Sequence, residues 1–298
     1  MKYFVAADED RRLDAAARRT LRGSFASLSD GVTHYELTGP EDGELAVLVG
    51  GLTIPLSYWD GLAARLHAHG LRTLTYSAYG RGCSDRVQGR YDEALFVRQL
   101  AELTTALAGT RPRHVVGTSM GALVAMAYAN LRPETVATLT VVGPAGLGER
   151  PLPHRVLRND AVAGFVARRF GRALLEDHLG HNVRDPGLSA ELVAMVRDAY
   201  RYEGSLYAFF QTLQRFPLYE RQDLFRRTGE LGLAVLLVWG DHDQVTPITH
   251  LDTVHDLLRP RETHVITRCG HMAPFERPDD VGDLLASFTV AHPERLEP

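Results

Sequence analysis

Six short segments are apolar or β-branched at nearly every position, not merely at alternate ones: 45–50 (LAVLVG), 72–76 (RTLTY), 114–118 (HVVGT), 137–142 (ATLTVV), 234–239 (AVLLVW) and 263–267 (THVIT). Strands buried on both faces have this pattern, and such strands belong to parallel sheets whose crossovers are helices. Between them, 58–69, 92–108 and 121–131 carry apolar residues at helical spacing with few breakers. The alternation predicts an α/β fold with a mostly parallel central sheet flanked by helices. Nearer the N-terminus, 10–22 has a helical pattern without a wide apolar face. The segment 25–37 (FASLSDGVTHYEL) has the form of a hairpin turning at Asp30-Gly31. Both are expected to decorate the sheet edge.

The alternation stops from about 148 to 229. No strand-like run occurs there, and helical patterns are punctuated by Pro151, Pro153, Pro186 and Pro217. The expected organisation is an α/β core of 1–147 and 230–298, interrupted after the sixth strand by a helical cap of 148–229. Aromatic side chains crowd this interval, among them Phe165, Phe170, Tyr207, Phe209 and Phe210. Most serve to pack the cap, and as a group they are expected to roof an apolar pocket.

Charge and composition narrow the function classes. The 33 Lys and Arg against 37 Asp and Glu leave a net charge of −4 over 298 residues, without the positive field that nucleic acids or polybasic membrane contacts require. No window approaches the roughly 20 consecutive apolar residues of a membrane span, and the first residues become charged by Asp8 without a leader-like apolar run. Cys83 and Cys269 are too few and too far apart for a disulfide framework. A cytoplasmic protein with free thiols is expected. The 13 histidines invite a metal reading, but His178-Leu-Gly-His181 and Asp241-His242-Asp243 match no ligand motif, so no metal is expected. Gly80-Arg-Gly82-Cys-Ser-Asp85 lacks the third glycine and the following helix of a dinucleotide fingerprint, so no cofactor is expected either.

The sharpest chemical signal is Gly117-Thr118-Ser119-Met120-Gly121, which joins a strand directly to a helix of small and apolar residues. A serine exposed on so tight a turn needs glycine on both sides, because side chains there would collide with neighbouring elements. Serine is a weak nucleophile unless an imidazole takes its proton and a carboxylate orients that imidazole. Both follow later strands: Asp241-His242-Asp243 ends one, and Cys269-Gly270-His271 follows the next.

With these residues the chain resembles a capped serine hydrolase of the α/β-hydrolase superfamily. The likeness extends from about Gly23 onward and rests on GTSMG, WGDHDQVTP, CGHMAPFERP and YGRGCSD. It implies Ser119 as nucleophile and His271 as general base. Asp243 is implied as the orienting acid over its competitor Asp241, because the acid loop matches W-G-x-x-D-x-x-x-P. It also implies an oxyanion hole made by the backbone N–H groups of Met120 and Leu52. Two positions depart from the pattern. Gly50 replaces the usual histidine before Gly51, and Ser77 replaces the usual aspartate before Gly80, so the second oxyanion donor is expected to be held differently. The implied activity is hydrolysis of a carbon ester, thioester or lactone in an apolar small molecule carrying a carbonyl. The alternatives are a non-hydrolytic acyl transfer, cyclisation or elimination on the same scaffold, and a ligand-binding receptor with little turnover.

Overall fold

The computed structural model describes residues 1–293. Along the chain run α1 (Ala15–Arg18), β1 (Ser24–Ser27), β2 (Val32–Thr38), β3 (Leu45–Val49), α2 (Asp60–Ala68), β4 (Arg72–Tyr76), α3 (Glu93–Ala108), β5 (Arg113–Thr118), α4 (Met120–Leu131) and β6 (Val136–Val142). Five helices then intervene: α5 (Leu152–Val156), α6 (Asp160–Leu179), α7 (Pro186–Ala199), α8 (Ser205–Arg215) and α9 (Gln222–Gly229). The chain returns through β7 (Ala234–Gly240), α10 (Leu251–Leu258), β8 (Glu262–Ile266), α11 (Ala273–Glu276) and α12 (Pro278–Ala291).

The strands form one sheet in the order β1-β2-β4-β3-β5-β6-β7-β8. The hairpin strands β1 and β2 pair antiparallel, as do β2 and β4, and every other neighbour is parallel. All six residues of β5 are buried, as expected for a strand covered on both faces. Helix α2 packs on α12, while α3, α4, α9 and α10 pack successively on one another. The winding reverses between β3 and β5. In open parallel sheets the crevice outside the strand C-termini at such a reversal is where ligands bind, and here Gly50–Leu52 and Ser119 emerge there.

The helical cap lies after the sixth strand, as the pattern predicted, but its last helix differs in company. Helix α9 packs mainly on α4 and α10 of the body. A second difference lies at the N-terminus, where only Ala15–Arg18 of the predicted 10–22 helix forms. The preceding residues are drawn away from helical pairing by the cap. Glu9 is buried, and its carboxylate accepts hydrogen bonds from the backbone N–H groups of Gly204 (2.8 Å) and Leu206 (2.7 Å) at the start of α8, and of Ala6 (2.8 Å). A negative charge at a helix N-terminus is favourably placed. Burial nevertheless pushes the Glu9 carboxyl pKa upward, against the pull of those three amides. Arg172 of α6 pairs with Asp8 at 2.5 Å, and Tyr3 stacks edge-on against Tyr207 of α8. The N-terminal segment thus fastens the cap instead of decorating the sheet.

Candidate active site

Ser119 sits between β5 and α4 with φ 55° and ψ −121°. A non-glycine residue in this region stores about 1–3 kcal/mol of strain, which persists only where the surroundings enforce it. They do so here by close approach. A Cβ at Gly121 would lie 2.2 Å from the Val49 carbonyl oxygen, and one at Gly117 would lie 2.5 Å from that of Gly121. The turn is therefore pressed against the end of β3, and the two glycines of the motif are steric requirements. The Ser119 amide donates to the Val142 carbonyl at 3.0 Å, which ties the turn to the end of β6.

The next residue of that strand end, Gly143, stands against the other two candidates: a Cβ there would lie 3.1 Å from Asp243 Oδ2 and 3.5 Å from His271 Nδ1. His271 Nδ1 is 2.8 Å from Asp243 Oδ2, and both side chains are buried. The other Asp243 oxygen accepts from the amides of Val245 (2.9 Å) and Thr246 (2.8 Å). The Thr246 hydroxyl, which the sequence did not single out, lies 2.8 Å from Asp243 Oδ2 and 3.1 Å from both His271 Nδ1 and the Gly143 carbonyl. The acid is thus fixed by four partners, the arrangement needed to hold an imidazole in one tautomer.

Asp241 does something else. It accepts from the Cys269 amide at 3.1 Å and lies 2.6 Å from His242 Nδ1, bracing the strand-to-histidine turn. Burial acts to raise its pKa, but His242 and the amides of Arg268 and Cys269 outweigh this and hold the carboxyl at about 2. Cys269 is buried beside that turn with its thiol pushed up to about 12, and burial raises the Cys83 thiol as well. Neither thiol is activated.

Two buried charges missed by sequence reasoning frame the site. Arg81, between the glycines of the GRG turn, is fully buried; it donates from Nε to the Leu52 carbonyl (2.8 Å), from Nη1 to that of Tyr79 (2.9 Å) and from Nη2 to Thr212 Oγ1 on α8 (2.8 Å). Its guanidinium lies over the Phe96 ring at 5.3 Å. The loop of the candidate donor Leu52 is thus clamped by a cation from the turn beneath it. In that turn, Ser77 contributes its carbonyl to Ser84 Oγ (2.6 Å), and its hydroxyl stands 3.4 Å from His34 Nδ1. Glu276, in the CGHMAPFERP segment, accepts from the amides of Gly270 (2.8 Å), Arg184 (3.2 Å) and Asp185 (3.2 Å). It locks the residue before His271 to the entry of α7. Neither has a local signature, because the groups that satisfy each come from elsewhere in the chain.

Leu52, Ser119, Met120 and Thr246 open onto a cavity of about 1040 Å³ whose other walls come from α5, α6, α8, the loop after β6 and the loop after β7. That is the scale of a site for a sizeable small molecule. No helix among the described residues is long and apolar enough to cross a membrane.

Comparison with known proteins agrees with this architecture. The family model for the alpha/beta hydrolase fold matches residues 47–278. The chain is 27% identical over 278 residues to a 2-hydroxy-6-oxo-6-phenylhexa-2,4-dienoate hydrolase of Comamonas testosteroni, a match covering 89% of this chain and 93% of that protein. Among solved structures, a thermophilic esterase of Thermogutta terrifontis superposes with a TM-score of 0.78 at 20% identity, covering 92% of this chain and 100% of the other. The enol-lactonase of Burkholderia xenovorans LB400 superposes with a TM-score of 0.75 at 19% identity, covering 90% and 100%. Both share the fold.

Proposed function

The chain belongs to the alpha/beta hydrolase fold family, and from that premise we propose that it is a serine hydrolase cleaving an ester, thioester or lactone of an apolar small molecule. The observation that carries the reading is the placement of Ser119, on a strained turn at the wall of an apolar cavity, with the Asp243–His271 pair buried beside the adjoining strand end. Because Nδ1 of His271 faces Asp243, its proton sits there and Nε2 is the ring's basic nitrogen. His271 takes the Ser119 hydroxyl proton as Oγ attacks the carbonyl carbon, and the proton passes to the departing oxygen or sulfur. The oxyanion is held by the amides of Leu52 and Met120, the latter at the positive end of the twelve-residue α4. Water, deprotonated by His271, then releases the acid and regenerates the serine.

A second reading has one observation behind it. The Comamonas relative is named as a hydrolase of a 6-oxo-dienoate, and the corresponding reading for this chain is hydrolysis of a carbon–carbon bond beside a ketone.

Steady-state hydrolysis of short p-nitrophenyl esters tests the assignment. Ser119→Ala is expected to lower kcat by at least about 10³-fold, and Asp243→Asn by about 10³–10⁴-fold. Asp241→Asn, which leaves the His271 pairing intact, should lower it by less than about tenfold. A Ser119→Ala protein turning over at the parental rate, or an Asp241 effect exceeding that of Asp243, overturns these roles.

A further inference from the structure

We infer that the cavity beside Ser119 selects an electrically neutral substrate and rejects one bearing a carboxylate; the inference rests on the ester-hydrolase reading above and names its substrate class. The long wall of the cavity is α6, where Val162, Val166, Phe170, Ala173 and Leu174 line the space, and Val162, Phe170, Ala173 and Leu174 stay partly open to solvent. These positions recur at three- and four-residue steps and form one apolar stripe. Leu52 and the aromatic pair Phe209 and Phe210 also line the space. Among the described residues lining it, none is Lys or Arg, and Asp177, one turn beyond Leu174, is the only acidic one.

The cap is not short of arginines, but several of them are engaged elsewhere. Arg172 pairs with Asp8, Arg197 with Glu176 (2.9 Å) and Arg215 with Asp160 (2.8 Å), and Arg168 lies over the ring of Phe4. Arg169 lies over the ring of Phe170, and the field of Arg150 reaches Tyr219, yet neither arginine is part of the wall. A carboxylate lying against this wall would give up part of its hydration with no Lys or Arg among the described lining residues to meet it, and would face Asp177. A neutral acyl chain loses nothing of the kind and covers apolar wall. Two imidazoles, His178 and His250, also stand among the described lining residues, and both probes are compared at a single pH of 8.

The probes are two ethyl p-nitrophenyl alkylphosphonates, diesters with no ionisable P–OH, of equal chain length, one alkyl chain ending in a free carboxylate and the other in its methyl ester. Ser119 Oγ attacks phosphorus, the P–O bond to p-nitrophenolate breaks, and a phosphonyl serine remains, so each labelling event releases one chromophore without turnover. Labelling by the capped probe should be faster by about 100-fold or more. Ala173→Arg, at an exposed position of the α6 stripe, should shift that ratio toward the free acid by about tenfold. Equal or faster labelling by the free acid in the parent, or a ratio unmoved by Ala173→Arg, overturns the charge argument. Failure of both probes to label Ser119 overturns the ester-hydrolase reading itself, a result distinct from either of those.

Discussion

Replacing Arg81 by methionine keeps much of the side-chain volume and removes the clamp beneath Leu52. In the native protein the guanidinium makes three hydrogen bonds while fully buried, to two carbonyls and one hydroxyl. No carboxylate pairs with it among the described residues, and burial accordingly draws its pKa down. Hydrogen bonds to a charged group contribute about 1.5–3 kcal/mol each, so the three represent roughly 4–9 kcal/mol. The buried cation itself costs several kcal/mol of lost hydration. The two terms nearly offset, and the net loss of stability should be only about 1–4 kcal/mol. Catalysis has no such compensation. Losing an oxyanion donor outright lowers kcat by about 10²–10³-fold, and a Leu52 amide left in place but unanchored should lower it by about 10–100-fold. KM should change little, because the oxyanion forms only after binding. Arg81→Lys should fall between the two proteins, since one ammonium cannot span three acceptors arranged around a planar fork. Steady-state kinetics on a p-nitrophenyl ester, paired with urea denaturation, separates the effects. A methionine variant that is destabilised but keeps kcat within about threefold would refute the claim that Arg81 positions the oxyanion loop.

Glu276→Ala leaves the amides of Gly270, Arg184 and Asp185 without their acceptor, and urea denaturation should show a loss of about 2–4 kcal/mol. The same variant should lose kcat through a loosened His271 turn, and parental kinetics would show the lock to be structural alone. Burial holds the imidazoles of His34 and His114 below their ordinary value of 6.5. Below that pH the unfolded chain binds more protons than the native one, so their contribution is complete above 6.5 and drains away on acidification, by at most about 1.4 kcal/mol per pH unit for each group. Glu9 has the opposite sign: its pKa is raised from 4.5, so its contribution falls as pH climbs from there through the folded value. Denaturation series from pH 5 to 8 should show a shallower acid limb for His114→Gln than for the parent, and superimposable limbs would contradict the assignment.

The central strands were legible because their signal is self-contained. A run such as LAVLVG needs no partner to declare that both its faces are buried, and β3 to β8 lie within a residue or two of the predicted runs. The GTSMG turn was legible for a similar reason, since its glycines answer to collisions with Val49 and with the turn itself. What stayed hidden depends on residues far away. The 10–22 pattern carries helical propensity, yet Glu9 and Asp8 are bound by α8 and α6, and tertiary contact overrides so short a helix. Arg81 in a glycine-rich turn has the look of a surface residue, because its acceptors on Leu52 and α8 leave no trace in the local sequence. The choice between Asp241 and Asp243 turned on loop geometry: two residues put one carboxylate against Cys269 and the other against His271.

The seat of Glu9 bears on how this protein could be recombined with its relatives. Its carboxylate joins the first dozen residues to the start of α8, the helix that supplies Phe209, Phe210 and Thr212. The two segments are remote in sequence but constitute one inherited piece of architecture. A hybrid that took the cap of another enzyme while keeping this N-terminal stretch would bury a carboxylate against a foreign helix start. Crossover points for shuffling therefore come in linked sets, and a library that exchanges the cap together with residues 1–12 should yield more folded clones than one that exchanges the cap alone.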